Sequence, residues 1–170
     1  MNSFVLTVLG DDRPGLVDAL AGAVEAHGGN WERSQMARLG GKFAGIVQVT
    51  APKANADALR AALAGLASEG LSVEVHEAGT EPAATGERFV LSLIGTDRPG
   101  LVHSVSAALA AAGASIEELD TSTGEAPMSG GTLFEASVAV VLPAGRTIDS
   151  VRDELEALGD RLMVDIELTS

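Results

Sequence analysis

The run Phe4-Val5-Leu6-Thr7-Val8-Leu9 is almost wholly apolar and β-rich, the character of a buried strand. Gly10-Asp11-Asp12-Arg13 follows as a turn, and Pro14 stands where a proline opens a helix at its first position. The spacing of Leu16, Val17, Leu20, Ala21 and Val24 then predicts one apolar helical face, which Gly28-Gly29 ends. Trp31 to Leu39 and Phe43 to Thr50 read as two strands joined by the tight turn Gly40-Gly41, with Pro52 closing the second. Leu59, Leu63 and Leu66 mark the stripe of a second helix. Leu71, Val73 and Val75 alternate with Ser72, Glu74 and His76, the pattern of a half-buried strand. The predicted order is βαββαβ.

This order occurs twice. FVLTVLGDDRPGLV, Phe4 to Val17, recurs as FVLSLIGTDRPGLV, Phe89 to Val102, at an offset of 85 with ten of fourteen positions identical. A convergent turn would not copy the strand before it as well, so an internal duplication is the reading. In the second copy the first helix carries Leu101, Val102, Val105, Leu109 and Ala112, with Gly113 as its stop. Strands near Ser115 to Ser122 and Thr132 to Leu142 follow. Ile148, Val151, Leu155 and Leu158 then define a helix, and Leu162, Val164, Ile166 and Leu168 a last strand. The fold class is α+β, two tandem βαββαβ units with antiparallel sheets: residues 1–76, a polar linker 77–86, and residues 87–170. Phe43 aligns with Phe134 at an offset of 91, so the second copy holds about six extra residues within Gly124 to Gly131. No Lys follows this Gly-rich segment and no strand-to-helix junction surrounds it, so it reads as a hairpin extension, not a phosphate loop.

Composition narrows the function classes. With 3% aromatic residues, no Tyr and one Trp, the cores must be aliphatic. A net charge of −13 without a basic stripe repels phosphate backbones and argues against direct nucleic-acid binding. The chain has no Cys, which excludes disulfides and thiolate metal sites. No stretch approaches the roughly 20 apolar residues that span a bilayer, so a cytoplasmic location is expected. His27, His76 and His103 lack metal-ligand spacing, and Ser34, Ser104 and Ser106 lack a nucleophile elbow. Asp149, Asp153, Glu154 and Glu156 read as a solvated helix face. No catalytic constellation, metal site or cofactor is expected.

The repeated turn has a chemistry of its own. A helix N-terminus offers unpaired N–H groups and partial positive charge to a carboxylate. Pro14 and Pro99 fix the approach of the chain, Gly15 and Gly100 remove side-chain bulk, and Asp12 and Asp97 can accept hydrogen bonds from an ammonium group. One turn thus offers partners to both ends of a zwitterion. The plainer alternative makes Asp12 a helix cap and Gly15 a turn residue. Arg13 and Arg98 are assigned to solvent or a surface ion pair.

A βαββαβ unit with Asp-Arg-Pro-Gly-Leu between first strand and first helix resembles the ACT domain, here over essentially the whole chain, twice. More narrowly, the pair is similar to the glycine-cleavage-system transcriptional repressor family. GDDRPGLV, Gly40 to Gly45, TDRPGLV and the longer connection from Ala126-Pro127-Met128 to Thr132-Leu133-Phe134 carry the likeness. The resemblance implies ferredoxin-like domains in a regulator without DNA-binding elements, which responds to glycine or a related amino acid. It further implies that the protein holds a transcriptional activator inactive by protein contact and forms homo-oligomers. The ligand-contacting positions would be Asp12, Pro14, Gly15, Leu16, Asp97, Gly100 and Leu101. Asn30 and Ser115, just before the second strand of each copy, would add polar contacts. Asn30 offers donor and acceptor together where Ser115 is smaller, so the first copy is expected to bind more strongly. The alternative is an adaptor, or a regulatory subunit of a metabolic enzyme, with no ligand of its own.

Overall fold

The computed structural model describes residues 1–81, 85–128 and 130–170; Pro82 to Ala84 of the linker and Ser129 of the insertion lie outside the described residues. The chain divides into two units, Met1–Glu81 and Pro82–Ser170. The first contains β1 (Asn2–Asp11), α1 (Leu16–Ala26), β2 (Asn30–Leu39), β3 (Lys42–Ala51), α2 (Ala56–Gly65) and β4 (Leu71–Glu77). The second contains β5 (Arg88–Thr96), α3 (Leu101–Ala111), β6 (Ser115–Glu125), β7 (Thr132–Val141), α4 (Ile148–Leu162) and β8 (Val164–Thr169). Each unit holds one four-stranded antiparallel sheet, ordered β2-β3-β1-β4 and β6-β7-β5-β8. The predicted βαββαβ order is present in both.

Period-two alternation decides which face of each sheet the helices cover. Phe4, Leu6 and Val8 of β1 point inward beside Val49 and Val47 of β3, and Leu16, Leu20, Val24, Leu59 and Leu63 close over them. Phe89, Leu91 and Leu93 repeat this under Leu101, Val105, Leu109, Val151, Leu155 and Leu158. Full burial of such a side chain is worth about 1.5–3 kcal/mol, so the apolar stripes read from the sequence are the dominant favourable contribution. In the first copy Gly40 and Gly41 take φ of 58° and 78°, the left-handed pair that a two-residue hairpin turn requires.

The second copy departs from expectation in two places. β6 continues past Ser122 to Glu125, because Thr123, Gly124 and Glu125 still pair with Phe134, Leu133 and Thr132 before the loop opens. The insertion is therefore partly strand. Leu162 ends α4 instead of starting the last strand, and Met163 between them turns the chain at φ 55°. Gly70 does the same before β4 at φ 84°.

Two glycines govern closeness, not angle. A Cβ on Gly10 would sit 2.8 Å from the Gly70 carbonyl oxygen, and one on Gly95 would sit 2.5 Å from Val164 Cγ1. Only glycine lets the end of each central strand lie against the start of the last strand. At the other end of the second unit, Thr147 and Ser150 form a reciprocal cap on α4. The Glu87 carboxylate, from the residue before β5, accepts the Ile148 N–H at 2.9 Å. Among the described residues no helix is long and apolar enough to cross a membrane.

Candidate functional site

The β1–α1 and β5–α3 turns hold their glycines in the same conformation. Gly15 has φ 90° and ψ 1°, Gly100 φ 92° and ψ 0°, and each precedes the first helical residue. A Cβ on either would meet nothing within 4 Å, so glycine is needed here for its left-handed backbone and the space beside it is open. No side chain caps α1 or α3. Asp12 and Asp97 therefore do not consume the leading N–H groups, contrary to the capping alternative. Leu16 and Leu101 are each 3% exposed, with side chains in the core, so only their main chain faces the turn. Pro14 and Pro99 lie at the surface.

The arginines of the two turns are not free in solvent. Arg13 donates through Nη2 to the carbonyl of Glu69, and more weakly through Nη1 to that of Pro14 at 3.4 Å. Arg98 donates through Nη2 to the carbonyl of Leu162 at 2.9 Å. Both acceptors lie at the end of the second helical segment of the same unit, where carbonyls lack helical partners and carry partial negative charge. Each arginine thus ties the start of its unit's first helix to the end of the second helical segment. This replaces the expected surface ion pair, and Glu69 and Leu162 are too distant in sequence for spacing to have revealed it.

The two aspartates differ. Asp12 Oδ2 accepts from Arg38 Nη1 of β2 at 3.4 Å, while its N–H donates to the Gly41 carbonyl at 3.1 Å. Asp97 keeps the equivalent main-chain bond, N–H to the Thr132 carbonyl at 2.8 Å. Arg38 faces Phe43 across the ladder, and the residue facing Phe134 is Thr123. Among the described residues no side chain partners the Asp97 carboxylate. Arg38 has no motif to mark it in the sequence; its only signal is a register opposite the residue that follows Lys42.

Asn30 and Ser115 are exposed and open their strands, but at the far end of each sheet. Asn30 lies opposite Thr50, which faces Ser3, whereas Asp11 next to the turn faces Lys42. Eight residues of strand separate the two ends, about 26 Å at the usual rise. Within one unit the structure therefore joins Asp12, Pro14 and Gly15, or Asp97 and Gly100, and keeps Asn30 or Ser115 apart from them. Asn30 is engaged locally. Its Nδ2 donates to Glu32 Oε1 at 2.9 Å, and the Thr50 hydroxyl donates to the same oxygen at 2.8 Å. These two bonds, Asn30's first, hold the Glu32 carboxyl below the usual carboxylate range. Glu32 and Glu117 occupy matching irregularities in β2 and β6. Among the described residues no cluster of His, Asp and Glu is arranged to hold a metal ion.

The ACT domain model matches residues 2–76 and 87–169. A crystal structure of an unknown protein from Galdieria sulphuraria is similar over 99% of this chain and 97% of its own, with 34% identity and a TM-score of 0.78. A protein provisionally assigned as a glycine cleavage system transcriptional repressor shares the fold over 99% of this chain and 96% of its own, with 20% identity and a TM-score of 0.75. No curated protein matches the sequence. With both halves matched, in the order and with the turns described above, the chain belongs to the ACT domain family as a tandem pair.

Proposed function

We propose that the protein is a non-catalytic, amino-acid-responsive regulator that acts by contact with another protein, in the manner of a glycine cleavage repressor. One observation carries the ligand assignment. The uncapped N-terminus of α3 lies beside Gly100, with the Asp97 carboxylate unpartnered among the described residues and open space at the turn. A small zwitterion finds N–H donors for its carboxylate and an acceptor for its ammonium within one turn. In the first copy Arg38 already engages the Asp12 carboxylate at 3.4 Å, which favours the second copy as the binding site, where Asn30 and Ser115 pointed to the first. The full-length likeness to a provisionally assigned repressor supports the regulatory part of this reading.

Calorimetric titration of the full chain with glycine, serine and other small amino acids tests it. Asp97→Asn is expected to weaken binding by about tenfold or more, the loss of one charge-assisted hydrogen bond, while Asp12→Asn leaves affinity nearly unchanged. Absence of binding by every small amino acid would favour the adaptor reading, in which the fold serves only as an interface.

A further inference from the structure

The faces of the two sheets turned away from their helices share one backbone pattern and differ in charge. In the second unit this face holds a hollow of about 460 Å³, lined by Ser92, Ser137, Asp120, Glu135, Asp165 and Glu167. The ladders set Asp120, Ser137, Ser92 and Glu167 in one row across the strands, and Glu135, Ile94 and Asp165 in the next. Asp120 and Glu167 are three strand spacings apart, about 14 Å, and the rows are about 7 Å apart. Among the described residues no cation pairs with any of these four carboxylates. The four matching positions of the first unit hold Gln35, Ala44, Ser72 and Glu74, a single carboxylate, and His76 lies 3.6 Å from it. Like charges at neighbouring positions of a sheet repel, so the second face keeps a repulsion that an arriving cation relieves. The hollow is also within the usual size of a ligand site.

We propose that this face of the second unit is the docking surface for a basic segment of a protein partner, whose arginine or lysine side chains sit over the four carboxylates. The inference rests on the reading of the chain as a regulator that acts by protein contact, and it gives that contact a place and a chemistry. Charge complementarity selects the occupant. An extended segment carries alternate side chains on one side about 7 Å apart, so basic residues at every second position span the row from Asp120 to Glu167. The Ser92 and Ser137 hydroxyls, in the middle of that row, accept further N–H donors. Val90 and Ile94, exposed on the same strand as Ser92, offer apolar surface to the aliphatic stems. A transcription factor presents segments of this kind, because neutralising phosphates requires clustered Lys and Arg.

Fluorescence anisotropy of a labelled peptide of alternating arginine and serine, titrated with the full chain, tests the inference. Binding is expected at low salt and is expected to weaken as salt is raised. Asp120→Asn combined with Glu167→Gln is expected to weaken it at least about tenfold. Asp153→Asn combined with Glu156→Gln removes the same charge from the exposed face of α4 and is expected to leave it within about twofold. Neither pair touches the core, and the first relieves repulsion, so both variants are expected to melt no lower than the wild type. No binding by the wild type at submillimolar concentration overturns the inference. Equal weakening by the two double variants also overturns it, because the peptide then reads net charge and not this face. Calorimetry with small amino acids reports separately on the Gly100 turn. Amino-acid binding without peptide binding overturns this inference alone, and peptide binding with the expected variant ranking but no amino-acid binding upholds it while the effector assignment fails.

Discussion

The Arg98 guanidinium donates to the main-chain carbonyl of Leu162 at 2.9 Å, joining the start of α3 to the last residue of α4. Arg13 makes the corresponding bond to Glu69. A cation satisfying a helix-terminal carbonyl is the favourable arrangement for the macrodipole, and loss of the side chain leaves that carbonyl to water. Arg98→Ala is expected to cost about 1 kcal/mol of stability in the second unit, and Arg13→Ala a similar amount in the first. Denaturant unfolding of each variant measures this. Equal stability of wild type and both variants would show the contacts to be ornamental.

The two turn glycines and the two glycines at the ends of the central strands act by different mechanisms. Gly15 and Gly100 have open surroundings and positive φ, so alanine at either position is expected to cost about 1 kcal/mol through backbone strain, and asparagine less. Gly10 and Gly95 are crowded at 2.8 and 2.5 Å, so alanine is expected to cost about 1–3 kcal/mol and asparagine more. The discriminating result is the ranking of Ala against Asn, which should invert between the two pairs in thermal melts.

Much of this architecture was legible in the sequence, for a definite reason. Leu59 and Leu63, or Leu155 and Leu158, occupy helical spacings that admit one buried face, and Leu71-Ser72-Val73 admits one strand alternation. The duplication added an internal check, since a pattern seen at Phe4 had to hold again at Phe89. Features that depend on which segments meet in space were not legible. Arg13 carries no local sign that Glu69 is its acceptor, and Gly10 looks like any turn glycine until Gly70 is placed against it. The candidate turn was visible as the repeated Asp-Arg-Pro-Gly. The inequality of Asp12 and Asp97 required the register that brings Arg38 across from Phe43.

Met163 occupies the left-handed region at φ 55°, is 79% exposed, and stands where the first copy has Gly70. Met163→Gly is expected to stabilise the second unit by about 0.5–1 kcal/mol, the backbone strain relieved less the added entropy of the unfolded chain. Gly70→Ala is expected to destabilise the first unit by about 1 kcal/mol. Equilibrium unfolding reads both, and a destabilised Met163→Gly protein would mean that the methionine side chain contributes a contact of its own.

The Glu32 carboxyl is held below its ordinary range by Asn30 first and Thr50 second. A carboxylate whose folded pKa lies below its unfolded one contributes stability that is complete above the unfolded value. That contribution is lost as the pH falls through the folded value. Acidification is therefore expected to release the Asn30 side-chain amide and the Thr50 hydroxyl together, at a pH below the usual glutamate titration. The Asn30 Nδ2 proton resonances follow this directly. Thr50→Val should move the midpoint upward, and an unmoved midpoint would remove Thr50 from the account.

The bond from Ile148 N–H to the Glu87 carboxylate fixes where the second copy begins as a physical object. The Glu87 carbonyl also accepts the Leu142 N–H at 2.8 Å, so this residue fastens both the end of β7 and the start of α4. A fragment cut at Arg88 keeps all four strands and both helices of the unit but exposes two main-chain donors that Glu87 satisfies. A fragment cut at Thr85 keeps them covered. Glu87, the first residue after the linker, is therefore an integral part of the folded body it opens, and any division of the chain for separate expression, or any transplant of the second copy into another protein, has to be made upstream of it.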